Sequence, residues 1–417
     1  MSRIFFGFGL IIPLYVIRFT VFGIPTNVLE IGIIAVLLIS LIQLRDYKNL
    51  LQVSKYWNPK TMIFGSLLIL ASLGVVISEE LRSSLGIWKA YFVLPSLVLL
   101  ILSQMGAKYY ISLIRGVIGS GLVVAIITIA QVVVLGLDGE FRPTAMYALG
   151  LDPAVAQGGF ANYIAMYLVP IFVLSLSRRN IPVELRWFVI AVLFTGIITT
   201  QSYAGIFALI GVLGVWILTR ILLSQKNQQN LITNPIVKKY SLPIIGVIII
   251  SLAGFGIWQF NTPKFQSLLD MNNRNSITTR IQIWDTSIAM IKDNLVLGIG
   301  LADFQRVYAE TIPYKYFPPY EWLVPKPHNL YFAFWLHLGL AGIMWLTYVL
   351  RYTIIRLISA IKSNHWETYW LSLSLLSIFL YGILDTPFWK NDLALLFLVI
   401  LYGVVEQKKK VKYKVNS

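Results

Sequence analysis

The sequence predicts an all-α polytopic membrane protein of about twelve transmembrane helices, and three observations predict it. Hydrophobic residues occupy 57% of the 417 positions, charged residues only 12%, and the mean hydropathy is +0.74, which excludes an ordinary soluble domain. Apolar runs of about 20 residues, enough helix to cross roughly 30 Å of hydrocarbon, recur from one end of the chain to the other. Basic residues, finally, gather on alternate loops, as they do where short loops stay in the cytoplasm. The chain 1–417 reads as a single membrane domain.

The runs are 4–24, 27–44, 62–78, 86–104, 111–136, 159–176, 187–201, 204–223, 241–260, 329–350, 368–384 and 391–406, of which 187–201 is the shortest. Arg3 precedes the first, and no small-residue cleavage site follows it, so an uncleaved signal-anchor is expected. With the N-terminus inside, the cytoplasmic loops collect most of the 34 Lys and Arg, from Arg45, Lys48, Lys55 and Lys60 to the tail "KKKVKYK". Of the 18 acids only Asp46, Glu184, Glu367 and Glu406 fall on that side. Both termini are therefore expected in the cytoplasm. The formal charge of +16 and the pI near 9.8 become an orientation signal facing anionic membrane lipids, with no nucleic acid as partner. The lack of cysteine excludes disulfides and thiolate-bound metal. No glycine-rich phosphate loop, HExxH or EF-hand pattern occurs.

Most connections are short, but residues 261–327 lie together outside as one large extracytoplasmic loop, the kind of segment that carries function. Within it Ile277, Ile281, Trp284, Ile288, Ile291 and Leu295 recur every three or four residues, the stripe of an amphipathic helix. Asn275 or Ser276 supplies its N-cap, and Gly298 and Gly300 of "LGIG" end it. Its tryptophan and apolar face suit the outer membrane–water interface, with Arg280 and Asp285 flanking the stripe. The stretch "YFPPYEWLVPKPH" then approaches the tenth run in an extended form.

That approach ends at His328, an ionisable side chain at the outer border of an apolar helix. One reading makes it an interfacial aromatic or a helix cap. The other uses the imidazole as a base that takes the proton of an attacking hydroxyl. His337 points to the opposite side of the same helix and lies roughly 13 Å deeper, so the two cannot share a site. It is expected to pack among Gly339, Ala341 and Gly342, whereas His365 sits in a cytoplasmic loop. Arg280 can pair with Asp285 on a solvated face, and Arg142 with Glu140 or a lipid headgroup. Arg18 falls within the first run, while Lys89 and Arg115 lie near run ends, where they can snorkel.

The stretches "TRIQIWDTSIAMIKDNLVLGIGLADF" and "PHNLYFAFWLHLGLAGIMWL" resemble the signature of the O-antigen ligase and polymerase superfamily, with its R-x-x-x-W, G-x-G and H-N-x-x-L elements in order. Three further stretches, "FRPTAMYALGLDPAVAQGGFANYIAMYLVP", "TQSYAGIFALI" and "GILDTPFWKNDLALLFL", are similar to the family's outer arginine segment, its Ser-Arg-Gly turn and its last hairpin, so the resemblance covers roughly 140–405.

The resemblance implies a GT-C-like membrane glycosyltransferase. A glycan on a polyprenyl-diphosphate carrier would pass, outside the cytoplasmic membrane, to a glycan, lipid or protein acceptor hydroxyl in surface polysaccharide assembly. It implies Arg280 and Arg142 on the diphosphate and His328 on the acceptor, with no metal and no cofactor. A lipid diphosphate is already a good leaving group, and a bidentate, permanently charged arginine suits it. Where the family's turn carries Arg, this chain has Tyr203 between Ser202 and Ala204-Gly205, which can donate a hydrogen bond to substrate but brings no charge. The alternatives are a polysaccharide or lipid-linked-glycan transporter or flippase, which would use buried midplane charges, and a protein O-oligosaccharyltransferase, which differs only in its acceptor.

Overall fold

A computed structural model describes residues 1–43, 59–136, 143–145, 160–226 and 274–406, with isolated positions between 254 and 266. The ninth apolar run for the most part, Arg142 and the basic tail lie outside the described residues. Each other run is helical over most of its length: α1 Ser2–Ile11, α2 Val28–Gln43, α3 Pro59–Ile77, α4 Leu81–Met105, α5 Ala107–Leu135, α6 Phe160–Ser175, α7 Val183–Thr199, α8 Tyr203–Lys226, α11 Leu330–Lys362, α12 Trp366–Tyr381 and α13 Asn391–Glu406. The long loop before α11 adds α9 Ser276–Asp293 and α10 Phe304–Thr311. By length and composition α4, α5 and α11 can each cross a membrane, and α1, α2, α3, α6 and α8 give shorter apolar helices. The protein is an integral membrane protein, and mostly helical.

It is not wholly helical, because the first run stops early. After α1 and a 3-10 turn, Ile12–Val16, residues Arg18–Val21 (β1) and Ile24–Asn27 (β2) form an antiparallel hairpin in which Arg18 pairs with Asn27. The β-branched residues of "FTVFGIPTN" favour strand, and Gly23 at φ +78° makes the reversal. Arg18 is thus an exposed strand residue rather than a charge within a span. Lys89 is likewise accounted for: its Nζ lies 2.8 Å from Glu30 and 3.2 Å from the Pro25 carbonyl at the foot of the hairpin.

Residues 274–327 form a folded unit with its own core. Ile283, Met290 and Ile291 of α9 pack with Ile299, Phe304, Tyr308, Ile312, Val324 and Leu336. Ile291 therefore leaves the expected stripe for the protein side. Ile277, Ile281, Ile288 and Leu295 stay exposed on the other side, an apolar surface of the sort that lipid covers. Asp303 ties this unit to the bundle: buried, it accepts from the Ser78 hydroxyl, from the Glu79 N–H at 3.1 Å and from Arg306 at 3.0 Å.

The "LGIG" element does more than end a helix. In α11 Gly339 has φ 69° and ψ −167°, which separates the Leu340 N–H from the Leu336 carbonyl it would otherwise reach. The preceding loop supplies both missing partners, as Ile299 N–H donates to Leu336 O at 2.7 Å and Val296 O accepts from Leu340 N–H at 3.0 Å. A side chain at Gly298, φ +72°, would lie 2.4 Å from Leu336 O. Glycine is required there by contact and by backbone alike.

Candidate active site

Two loops and helix α9 meet at the N-terminal end of α11. The first carries His328, whose φ of +48° lies in the left-handed region that a non-glycine residue adopts only when its surroundings hold it there. Trp284 on α9 holds it by donating Nε1–H to the His328 carbonyl at 3.1 Å. His328 does not cap the helix. Asn329 does, accepting from Tyr331 N–H at 2.9 Å and Phe332 N–H at 3.1 Å while its amide donates to Ile383 O at 3.0 Å. Leu330 N–H adds a bond of 2.7 Å to Gly382 O, so the start of α11 is stitched to the turn after α12.

That turn brings Asp385, which sequence reasoning missed. Its carboxylate, 3% exposed, places Oδ1 at 3.1 Å from His328 Nδ1 and Oδ2 at 3.8 Å from Arg280 Nη2. The Thr386 N–H also donates to Oδ1, at 2.8 Å. Burial pushes this carboxyl up, but His328, Arg280 and Lys326 outweigh it and hold the group well below the usual carboxylate range. The signal in the sequence was an acid two residues before a proline in the mostly apolar stretch "LDTPFW".

Arg280 reaches Asp385 from α9, where a capping box between Asn275 and Thr278 sets the first turn. Its expected alternative partner is engaged elsewhere. Asp285 accepts from Lys315 at 2.7 Å and Tyr316 at 3.1 Å, and the Lys315 hydrogen bond is the main cause of its lowered pKa. The structure thus brings His328 and Arg280, 48 residues apart in sequence, onto one carboxylate.

Tyr203 is half-buried at the first position of α8. Its neighbour Ser202 hydrogen-bonds Asn162 at 2.9 Å and the Tyr381 hydroxyl at 2.8 Å. Tyr381 lies within electrostatic reach of Asp385 and Arg280, which connects the Tyr203 turn to the cluster. His337 stands apart as expected: it is buried, with Nδ1 2.9 Å from Gly300 O and its ring 4.3 Å from Trp389. Among the described residues no three His, Cys, Asp or Glu gather in a metal-holding group.

A carboxylate on Nδ1 leaves Nε2 of a neutral imidazole as a base, and a guanidinium beside it offers charge to an anion. No curated protein matches the chain. Residues 188–347, which include Arg280, Trp284, Gly298, Gly300 and His328, match the family model described as O-antigen ligase, and over that stretch the chain is similar to that family.

Proposed function

We propose that the protein transfers a glycan from a polyprenyl-diphosphate carrier to an acceptor hydroxyl on the extracytoplasmic side of the inner, cytoplasmic membrane, on a GT-C-like scaffold. The observation that carries this reading is Asp385 bridging His328 and Arg280. In the step, His328 donates Nδ1–H to Asp385 and takes the acceptor proton on Nε2. The acceptor oxygen bonds the anomeric carbon as the bond from that carbon to the diphosphate oxygen breaks, and the electron pair leaves with the diphosphate. Arg280, with Arg142 and the Tyr203 hydroxyl, would hold the departing phosphates, a role in which fixed positive charge counts most because it strengthens as charge develops. No metal or cofactor is needed for this balance. Asp385 holds the imidazole in one tautomer and favours the imidazolium that forms.

The exposed apolar stripe of α9 supports the placement, since it would set Arg280 at the depth where a lipid diphosphate emerges from the bilayer. A transporter reading loses a main support with Arg18, which lies in the hairpin and not along a buried path. Replacing His328 by Ala should lower turnover about 10²-fold or more with lipid-linked donor still bound, whereas Arg280→Ala should weaken donor binding and turnover together. Purified protein assayed with saturating donor and acceptor provides the measurement. Full transfer by the His328→Ala protein would overturn the reading.

A further inference from the structure

Two lysines, one buried and one half-buried, have no part in the transfer step. Lys326, 8% exposed, stands two residues before His328, and Lys390 ends the turn before α13. Both ammonium groups lie over one aromatic ring: Nζ is 4.5 Å from the Tyr163 centroid for Lys326 and 3.1 Å for Lys390. A cation–π contact of this kind contributes about 0.5–2 kcal/mol.

Around this ring the cations Lys326, Lys390 and Arg18 outnumber the carboxylates. Arg18 also acts on Lys390 from the hairpin, and the carboxylates in reach are Asp392 and Asp385, the latter shared with His328 and Arg280. Burial lowers the Lys390 ammonium's pKa well below the usual lysine value, and Lys326 beside it lowers it further. Lys326 feels burial too, but Tyr163 and Asp385 more than offset it and keep it charged. Like charges brought together out of water cost folding stability, and such an arrangement is expected where a ligand of opposite charge completes it.

We propose that Lys326 and Lys390 form an anion site for phosphoryl oxygens and bind the diphosphate of the lipid-linked donor beside the His328–Asp385–Arg280 cluster. The identity of the ligand rests on the transfer reading; the anion site does not. An amine suits this position because it offers three rotatable donors to oxygens whose arrangement changes as the diphosphate leaves.

Thermal unfolding of the purified full chain in neutral detergent tests this, with inorganic pyrophosphate, polyprenyl diphosphate and phosphatidylglycerol as separate probes. Pyrophosphate and polyprenyl diphosphate should each raise the Tm of the wild type and of the His328→Ala protein. Lys390→Met and Lys326→Met should weaken both at least tenfold, while Lys390→Arg should retain most of the protection. Without ligand, Lys390→Met should unfold no earlier than wild type, since a repulsion has been removed. A lower Tm for Lys390→Met with unchanged pyrophosphate affinity would make the lysines structural anchors and overturn the proposal. Protection by phosphatidylglycerol alone, lost in the Met variants, would also overturn it and assign the site to a lipid headgroup. Failure of the transfer reading would show separately, as full turnover by His328→Ala, and would leave the pyrophosphate result standing.

Discussion

Replacing Asp385 by Asn isolates the charge on which the site turns. Oδ1 already accepts from Thr386 N–H at 2.8 Å and faces His328 Nδ1 at 3.1 Å, so an asparagine oxygen should occupy that side and preserve the imidazole tautomer. Its amide then takes the place of Oδ2 and meets Arg280, 3.8 Å away, donor against donor. What is lost is charge rather than orientation. At an effective dielectric near 20, one unit pair at this separation is worth about 4 kcal/mol, and part of it applies equally before and after proton transfer. The transition-state share, about 3 kcal/mol, corresponds to roughly 10²-fold in turnover, short of the ~10⁴ expected if the tautomer reversed. Steady-state transfer with saturating donor and acceptor measures it. A turnover within about threefold of wild type would show that Asp385 merely holds the hairpin, and would refute the argument. The stability effect has a definite pH window. Because the folded-state pKa of Asp385 lies below the unfolded value of about 3.9, its contribution is fully present above about pH 5 and is lost as pH falls through the folded value. The stability gap between wild type and Asp385→Asn should therefore close in strong acid, as pH falls through the folded-state value.

His337→Ala should act on stability instead, because it leaves Gly300 O without its 2.9 Å partner and opens a cavity against Trp389. A loss of about 2–4 kcal/mol, read by thermal unfolding, should accompany a kcat within about threefold of wild type; a catalytic defect in folded protein would count against the separation of the two histidines. Gly298→Ala should sharply reduce the yield of folded protein, since its Cβ would meet Leu336 O at 2.4 Å, whereas Gly7→Ala, with nothing within 4 Å, should be tolerated; size-exclusion profiles of the two variants make the comparison. Transfer should survive a chelator because cationic side chains supply the charge at the phosphates, and activity lost with chelator and restored by magnesium would show otherwise.

What the sequence determined by itself are the properties that repeat at short range. Helix periodicity and apolar length marked the membrane elements, the three- and four-residue spacing marked α9, and Asn275 marked its start, each set by neighbours within a turn or two. Composition could not see the early end of the first run, where Phe, Val and Thr are as apolar in a strand as in a helix, so Arg18 was misplaced. Neither could it see the break in α11, because Gly339 becomes a kink only where Val296–Ile299 offers partners for the separated backbone groups. The site follows the same division. His328 stood out as an ionisable group at an apolar border and Arg280 through the family resemblance, but Asp385 lies 57 residues beyond His328, and only the docking of the α12–α13 turn onto the start of α11 brings it to the imidazole. The pairing of Arg280 with Asp385 rather than Asp285, and of Lys326 with Lys390 on the Tyr163 ring, was decided in the same way, since electrostatic energy depends on separation in space and burial, neither of which is written in chain order.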